Sequence, residues 1–389
     1  MNYILMNQNT PVLSLELQEG RFTRLLAIFD IRYAPLALYN AYHQKSMNLL
    51  KACNQWFQAR AIPSWRKDLT LLLEKLAISS TSEVLLAAHG LSLADQYWFL
   101  KEGENITWQD IEFFTHEFEY QQFLQASIAP EQAPIKEEKY SPNQTTDGML
   151  PKSWFIDEKH RRLLIKGTYE FSNQEPINEY LATQIAKRLN MAHCPYEVRI
   201  WQGKLVSVCE NFLKGDQEII TANDIYDLRK KKNYVSDYEH YLEILAAHGL
   251  ADARNELENM LVLDFLMMNH DRHMKNFGII RNVKTLEWEK VAPIYDTGQA
   301  MNCDKLTKEM NFFEGRGKLF YNTKKKFSTY PKLIHDWSRF DFEKLADLPE
   351  EYETILRQYQ AYTQMPDSRI EKQVAGLKWR IANLQSYSQ

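Results

Sequence analysis

The chain has 389 residues, 44% of them hydrophobic and 13% aromatic, which is ample for two or three packed units and excludes global disorder. A net charge of −4 and a pI near 6.2 give no overall pull towards nucleic acid or an anionic membrane. The cysteines Cys53, Cys194, Cys209 and Cys303 follow no disulfide or metal pattern, no basic leader precedes an apolar run, and no apolar run approaches the ~18 residues that span a bilayer, so the expected setting is a reducing cytoplasm.

Residues 1–125 read as an α+β accessory domain: strand-like runs at 3–6, 12–17 and 25–29, then helical stretches. At 92–98, Ser92 in the N-cap place with Asp95 as the capping-box acid predicts the start of a helix. Nothing in this part offers a second chemistry. Residues 126–146 carry Pro130, Pro134, Pro142, a Lys-Glu-Glu-Lys run and Asn143-Gln144-Thr145-Thr146, a linker composition that sets the main boundary.

The segment 147–213 reads as a small β-rich lobe. Gly148-Met149-Leu150-Pro151-Lys152-Ser153 has a single glycine and is not a Walker sequence, although a β-turn there would set backbone groups over phosphates. Runs at 154–156 and 162–167, separated by Asp157-Glu158-Lys159-His160, predict a hairpin with Lys166 at the end of its second strand. Ile177, Leu181, Ile185 and Leu189 then recur at near-helical spacing, with Glu179 in the first turns of that helix. A strand lysine oriented by a glutamate on the next helix is an arrangement that holds nucleotide phosphates; two solvated charges are the plainer alternative. The run 204–213 predicts a strand leading out of this lobe, either an ordinary core strand or one whose end offers backbone groups to a base.

Residues 214–389 carry the densest polar signal. Arg229-Lys230-Lys231-Lys232 is a short basic cluster, read as a solvated loop or a docking patch for an acidic partner. Leu257, Met260, Leu261, Leu263, Phe265, Leu266 and Met267 mark a mostly buried helix. Where it stops, Asn269-His270-Asp271-Arg272-His273-Met274-Lys275-Asn276-Phe277 begins. A strand at 277–280, a charged turn and Ala292-Pro293-Ile294-Tyr295-Asp296-Thr297-Gly298 follow, predicting a hairpin that brings Asn276 and Asp296 together. An Asp, an Asn five positions on and a later Asp are what phosphoryl transfer needs: a carboxylate to take the acceptor's proton and two oxygen ligands for magnesium. Two other readings of His270-Asp271-Arg272-His273 stay open, a helix end with a polar turn and a His-x-x-His metal site, which lacks nearby cysteines or carboxylates to complete it.

In order, Gly148-x-x-Pro151-Lys152, Ile165-Lys166, Asn178-Glu179-Tyr180, Cys209-Glu210-Asn211-Phe212, the 269–277 stretch and Ala292-Pro293-x-Tyr295-Asp296 resemble the HipA-like serine/threonine kinases, part of the wider phosphatidylinositol-kinase superfamily. The resemblance covers roughly 147–300. It implies an α+β, two-lobed protein-kinase-like fold: a small β-rich lobe at 147–213 and a mainly helical lobe at 214–389 carrying the catalytic loop, beside the extra α+β N-terminal domain. It implies ATP and Mg2+ as cofactors, Asp271 as catalytic base, His273 beside the transferred group and Asn276 and Asp296 on the metal. Lys166 would contact phosphates, Glu179 would orient it, and Gly148 and Lys152 would lie in the phosphate loop. Glu210, Asn211 and Phe212 would receive adenine, and Ser153 is the candidate for autophosphorylation. The expected acceptor is a protein, with an antitoxin-like or regulatory partner, no direct nucleic-acid contact and no membrane. A lipid or small-molecule kinase, a nucleotide-binding pseudokinase, a toxin–antitoxin binding module and a regulator that meets DNA through a partner are the alternatives. The 145 or so residues before Gly148 depart from the small N-terminal subdomain usual in that group.

Overall fold

Residues 2–28 alternate in burial with a period of two and build an antiparallel meander: β1 (Asn2–Asn7), β2 (Thr10–Gln18) and β3 (Arg21–Ile28). β4 (Tyr97–Lys101) completes it on the far side of β1, giving the order β3-β2-β1-β4. Glu19 and Gly20 both have positive φ, the two-residue turn that matches the strands' twist. Leu5, Val12, Leu13, Leu15, Phe22 and Phe99 form a core with Leu38, Cys53 and Phe57 from the helices Leu36–Gln44 and Leu49–Arg60. The computed structural model describes residues 1–45, 47–61, 81–128, 141–145, 150–168 and 172–388.

The helix expected at 92–98 is not formed. Ser92 does accept a local N–H, from Ala94, but the Asp95 carboxylate bonds the Tyr97 N–H and the half of Arg60 that reaches it at 2.6 Å, so the chain turns straight into β4. Tertiary partners outweigh the local cap here. The turn serves as a dock instead: the Ala94 carbonyl accepts from Ile219, the Leu93 carbonyl accepts from the Asn211 side chain, and Tyr97 OH meets Arg281.

A second sheet has the order β5-β6-β8-β7, from β5 (Lys152–Ile156), β6 (Arg162–Lys166), β7 (Tyr196–Trp201) and β8 (Lys204–Glu210). Its faces sort by alternation. Leu163, Ile165, Val206 and Val208 pack with Leu124 and Ile128, whereas Lys166, opposite Lys152 and Ser207 in the ladders, takes the other face, towards the helix Glu175–Arg188. Of the expected linker, 129–140 and 146 lie outside the described residues. Its described remainder is tied in: Asn143 bonds the Trp154 backbone through both ends of its amide, and Thr145 Oγ1 donates to Leu91 O.

Below, the helices Asp237–Ala247, Ala253–Met267, Leu348–Gln358 and Asp367–Ser388 close over one large core that also takes in Ile177, Leu181 and Ile185 of the Glu175–Arg188 helix. This lobe is less purely helical than its sequence suggests. β9 (Gln217–Thr221), β11 (Gly278–Asn282) and β12 (Trp288–Val291) form the order β12-β11-β9, and the short β10 (Asp271–His273) pairs in parallel with β13 (Arg316–Lys326). Gly278 is required where β11 crosses β9, since a Cβ would stand 1.9 Å from the Ile220 carbonyl oxygen.

Candidate active site

Lys166 is 5% exposed at the end of β6. Its Nζ donates to Glu179 Oε1 at 3.0 Å, to Asp296 Oδ1 at 2.8 Å and to Tyr196 OH at 3.2 Å. Burial works against its charge, but Asp296 and Glu179 outweigh burial and raise its pKa, so it stays protonated. Burial likewise opposes ionisation of Asp296, and Lys166, Lys152 and Arg272 overcome it, holding that carboxyl far below the usual range. Glu179 uses its second oxygen to accept from the Thr297 N–H and hydroxyl at 3.2 and 2.9 Å. A buried charge with both oxygens engaged is a rigid one.

The segment bearing Asp296 is strapped to the small lobe. Ile294 exchanges backbone hydrogen bonds with Ala192 and Cys194, just before Tyr196, and Asp296 sits at φ 57°, a left-handed turn that Asp tolerates better than most residues. This strap lets one carboxylate reach a lysine 130 positions earlier.

The second half of the site grows from the end of the Ala253–Met267 helix. Asp264, fully buried, accepts Arg272 Nε at 2.9 Å, Nη2 at 3.1 Å and the Asn269 side chain at 2.8 Å. Arg272 Nη1 then donates to the carbonyls of Asn276 and Tyr295 at 2.6 and 2.7 Å. One guanidinium therefore fixes the 269–277 loop to its helix and to the residue beside Asp296. Asn276 turns its amide nitrogen to the Asp271 carbonyl at 3.0 Å. The Asp271 side chain is 30% exposed; its Oδ1 accepts Lys318 Nζ at 2.6 Å and its Oδ2 lies 3.7 Å from His273 Nε2. Burial lowers the pKa of His273, and Lys318 and Lys275 add to that against Asp271, so this imidazole is neutral at pH 7.

Lys166, Glu179 and Asp296 thus share one cluster, and Asp271, His273 and Asn276 share the loop that Arg272 joins to it. The other expected residues fall differently. Lys152 pairs with Lys166 across β5 and β6 and shares its face. Ser153 pairs with Ile165, so it is turned to the opposite face, buried, its hydroxyl donating to Trp154 O. Gly148 lies outside the described residues. At the end of β8, Glu210 pairs with Arg161 and Phe212 packs on Tyr295. Asn211 gives its backbone N–H to Arg162 and its side chain to Leu93, which makes it a join to the N-terminal region.

The sequence reading missed Tyr196, Thr297, Asp264 and Lys318. Asp264 was signalled by a carboxylate inside an apolar helix run, which implies a buried partner. Lys318 lies 47 positions from Asp271, and nothing local marks it.

The geometry can be set beside known proteins. Residues 144–365 match the HipA-like C-terminal domain. The chain is similar to the serine/threonine-protein kinase CtkA of Helicobacter pylori, at 25% identity over 137 residues that make up 32% of this chain and 40% of that protein; it therefore spans less than half the length of that curated relative. The solved structure of the Helicobacter pylori proinflammatory kinase CtkA is similar with a TM-score of 0.46 at 16% identity, over 61% of this chain and 94% of that one. HipA of Shewanella oneidensis, solved in a toxin–antitoxin complex with HipB and operator DNA, is similar with a TM-score of 0.52 at 14% identity, over 99% of this chain and 98% of the other. That last likeness runs through the N-terminal residues as well and shows a common two-lobed, kinase-like α+β fold. With the matched domain covering more than half of its length, the chain belongs to the HipA-like family.

Proposed function

We propose that the chain transfers the γ-phosphoryl group of ATP to a serine or threonine hydroxyl of a protein. The observation that carries this reading is the Lys166–Glu179–Asp296 cluster, joined through Arg272 to the loop of Asp271 and Asn276. Lys166 would bind phosphate oxygens while Glu179 keeps it aimed. Asp271 would orient the acceptor hydroxyl and receive its proton at Oδ2, the oxygen not taken by Lys318. The peptide groups at the end of β8 would face adenine. Asn276 and Asp296 fit a hard divalent ion: the Asn276 amide nitrogen is spent on Asp271, which leaves Oδ1 as its ligand atom, and Lys166 takes only Oδ1 of Asp296. When bound, magnesium supplies neutralisation of the phosphate charge. Phosphate on Ser153 would require β5 to leave its sheet, because that side chain is turned away from Lys166. By analogy with HipA and HipB, an antitoxin-like protein is the proposed partner, and the cytoplasm the proposed setting; among the described residues no helix is long and apolar enough to cross a membrane.

The test is intact and peptide mass spectrometry of the purified chain after incubation with magnesium and ATP, alone and with an added protein acceptor. Phosphate gain in the wild type, absent in Asp271→Asn and Asp296→Asn at unchanged melting temperature, is the expected result. Equal gain in either variant overturns the assignment.

A further inference from the structure

The cation closest to the proposed base comes from outside its loop. β10 and β13 run in parallel with Asp271 opposite Lys318, and opposed residues of a ladder share a face. Nζ therefore meets Oδ1 at 2.6 Å. The backbone of Lys318 is clamped on both sides, its N–H donating to His270 O at 3.0 Å and its carbonyl accepting Tyr330 OH at 3.2 Å. Gly317 allows this approach, since a Cβ there would lie 2.8 Å from Asn269 O and 2.9 Å from Tyr330 OH. A solvated surface lysine has no need of such fixing, and ordering its side chain costs rotamer freedom. Both side chains are 30% exposed. Within the loop, Arg272 points into Asp264, and burial lowers the pKa of His273, which favours its neutral form.

We infer that Lys318 is a positioning residue for phosphoryl transfer, holding Asp271 by Oδ1 so that Oδ2 is the oxygen presented to the acceptor hydroxyl. This rests on the function proposed above. In the step it serves, the acceptor oxygen bonds to the γ-phosphorus, the bond from that phosphorus to the β–γ bridging oxygen breaks with its electron pair leaving on ADP, and the hydroxyl proton passes to Asp271 Oδ2. A cation on a carboxylate makes it a weaker base. In a loose transition state the acceptor is little deprotonated, so orientation of the hydroxyl outweighs basicity, and a carboxylate free to rotate is the costlier fault.

The experiment measures steady-state transfer from magnesium-ATP to dephosphorylated casein by full-length wild type, Lys318→Met, Lys318→Cys and Lys318→Arg. The expected result for Lys318→Met is a fall in kcat of roughly 30-fold or more, with KM for ATP within about threefold and the ATP-induced rise in melting temperature kept. Aminoethylation of Lys318→Cys rebuilds a lysine-like side chain and restores kcat in the same folded sample; the four native cysteines are buried. Lys318→Arg keeps the cation but offers a fork that engages both oxygens, so its kcat also falls while its fold is retained. Wild-type kcat in Lys318→Met or Lys318→Arg, or a loss confined to KM, overturns the inference. Wild type that binds and transfers nothing defeats the proposed function itself, and the role of Lys318 with it.

Discussion

The two halves of the proposed site are built differently. On the proposed nucleotide side, Lys166 and Glu179 are buried within a few per cent of completely, and only Asp296, its side chain 39% exposed, opens that cluster to solvent. On the acceptor side, Asp271, His273 and Lys318 remain about 30% exposed on a three-residue strand with a parallel partner. Charges out of water act more strongly and reorganise less. That would suit the proposed nucleotide, whose phosphates are always the same. A protein acceptor of the proposed kind would have to arrive and leave, which forbids the same burial. Arg272 is the part common to both sides, touching Asn276 and Tyr295 at once.

Lys166→Met separates the two halves of the site first. Transfer falls by about 10³-fold or more, and ATP no longer raises the melting temperature, whereas Asp271→Asn loses transfer yet keeps that rise. Thermal shift with and without magnesium-ATP on both proteins separates the two sides. Identical behaviour of the two variants would mean that the sides are one unit.

Arg272→Met comes next. It leaves Asp264 buried without its guanidinium, which costs about 3–5 kcal/mol of stability, read as a lowered denaturation midpoint. Adding Asp264→Leu removes the stranded charge and recovers much of that loss. Transfer stays lost in the double variant, because the Asn276 and Tyr295 carbonyls are no longer held together. Recovery of activity along with stability would show that Arg272 serves the fold alone.

Much of the nucleotide side was legible because its parts are regular elements: the β5–β6 hairpin, the helix of Glu179 and the buried helix before Asn269 all follow from residue periodicity. The β11–β12 hairpin also followed, and it returns the chain to Tyr295, whose carbonyl shares Arg272 with that of Asn276. What periodicity does not carry is long-range pairing. The contact of β10 with β13 spans 47 positions, and a three-residue strand has no pattern of its own. Residues 92–98 show the converse error, a sound local cap overruled by Arg60 and β9. Ser153 was read as a loop residue because a serine beside a lysine gives no sign of which face it takes; only the register with Ile165 does.

The smallest effect concerns acid. Burial lowers the pKa of both His270 and His273; at the first, Asp304 and Asp271 oppose it while Lys324 and Lys305 add to it, and at the second Asp271 and Asp296 oppose it while Lys318 and Lys275 add to it. A folded pKa below the unfolded value of about 6.5 means that the neutral form is the one the fold favours. The resulting stability is complete above about pH 6.5 and is lost as pH falls through the lowered values. Asp296 also has a lowered pKa, but its contribution is complete above about pH 4 and lost only in stronger acid. Between pH 7 and 5 the acceptor side should therefore weaken while the nucleotide side holds. Melting temperature against pH for the wild type and for a His270→Gln, His273→Gln double variant measures this. The expected outcome is a shallower acid slope in the variant, by less than about 1 kcal/mol per histidine given their partial exposure, with the ATP-induced shift still present at pH 5. An unchanged slope would mean that these imidazoles are as well solvated folded as unfolded, and that the openness of the acceptor side extends to the loop itself.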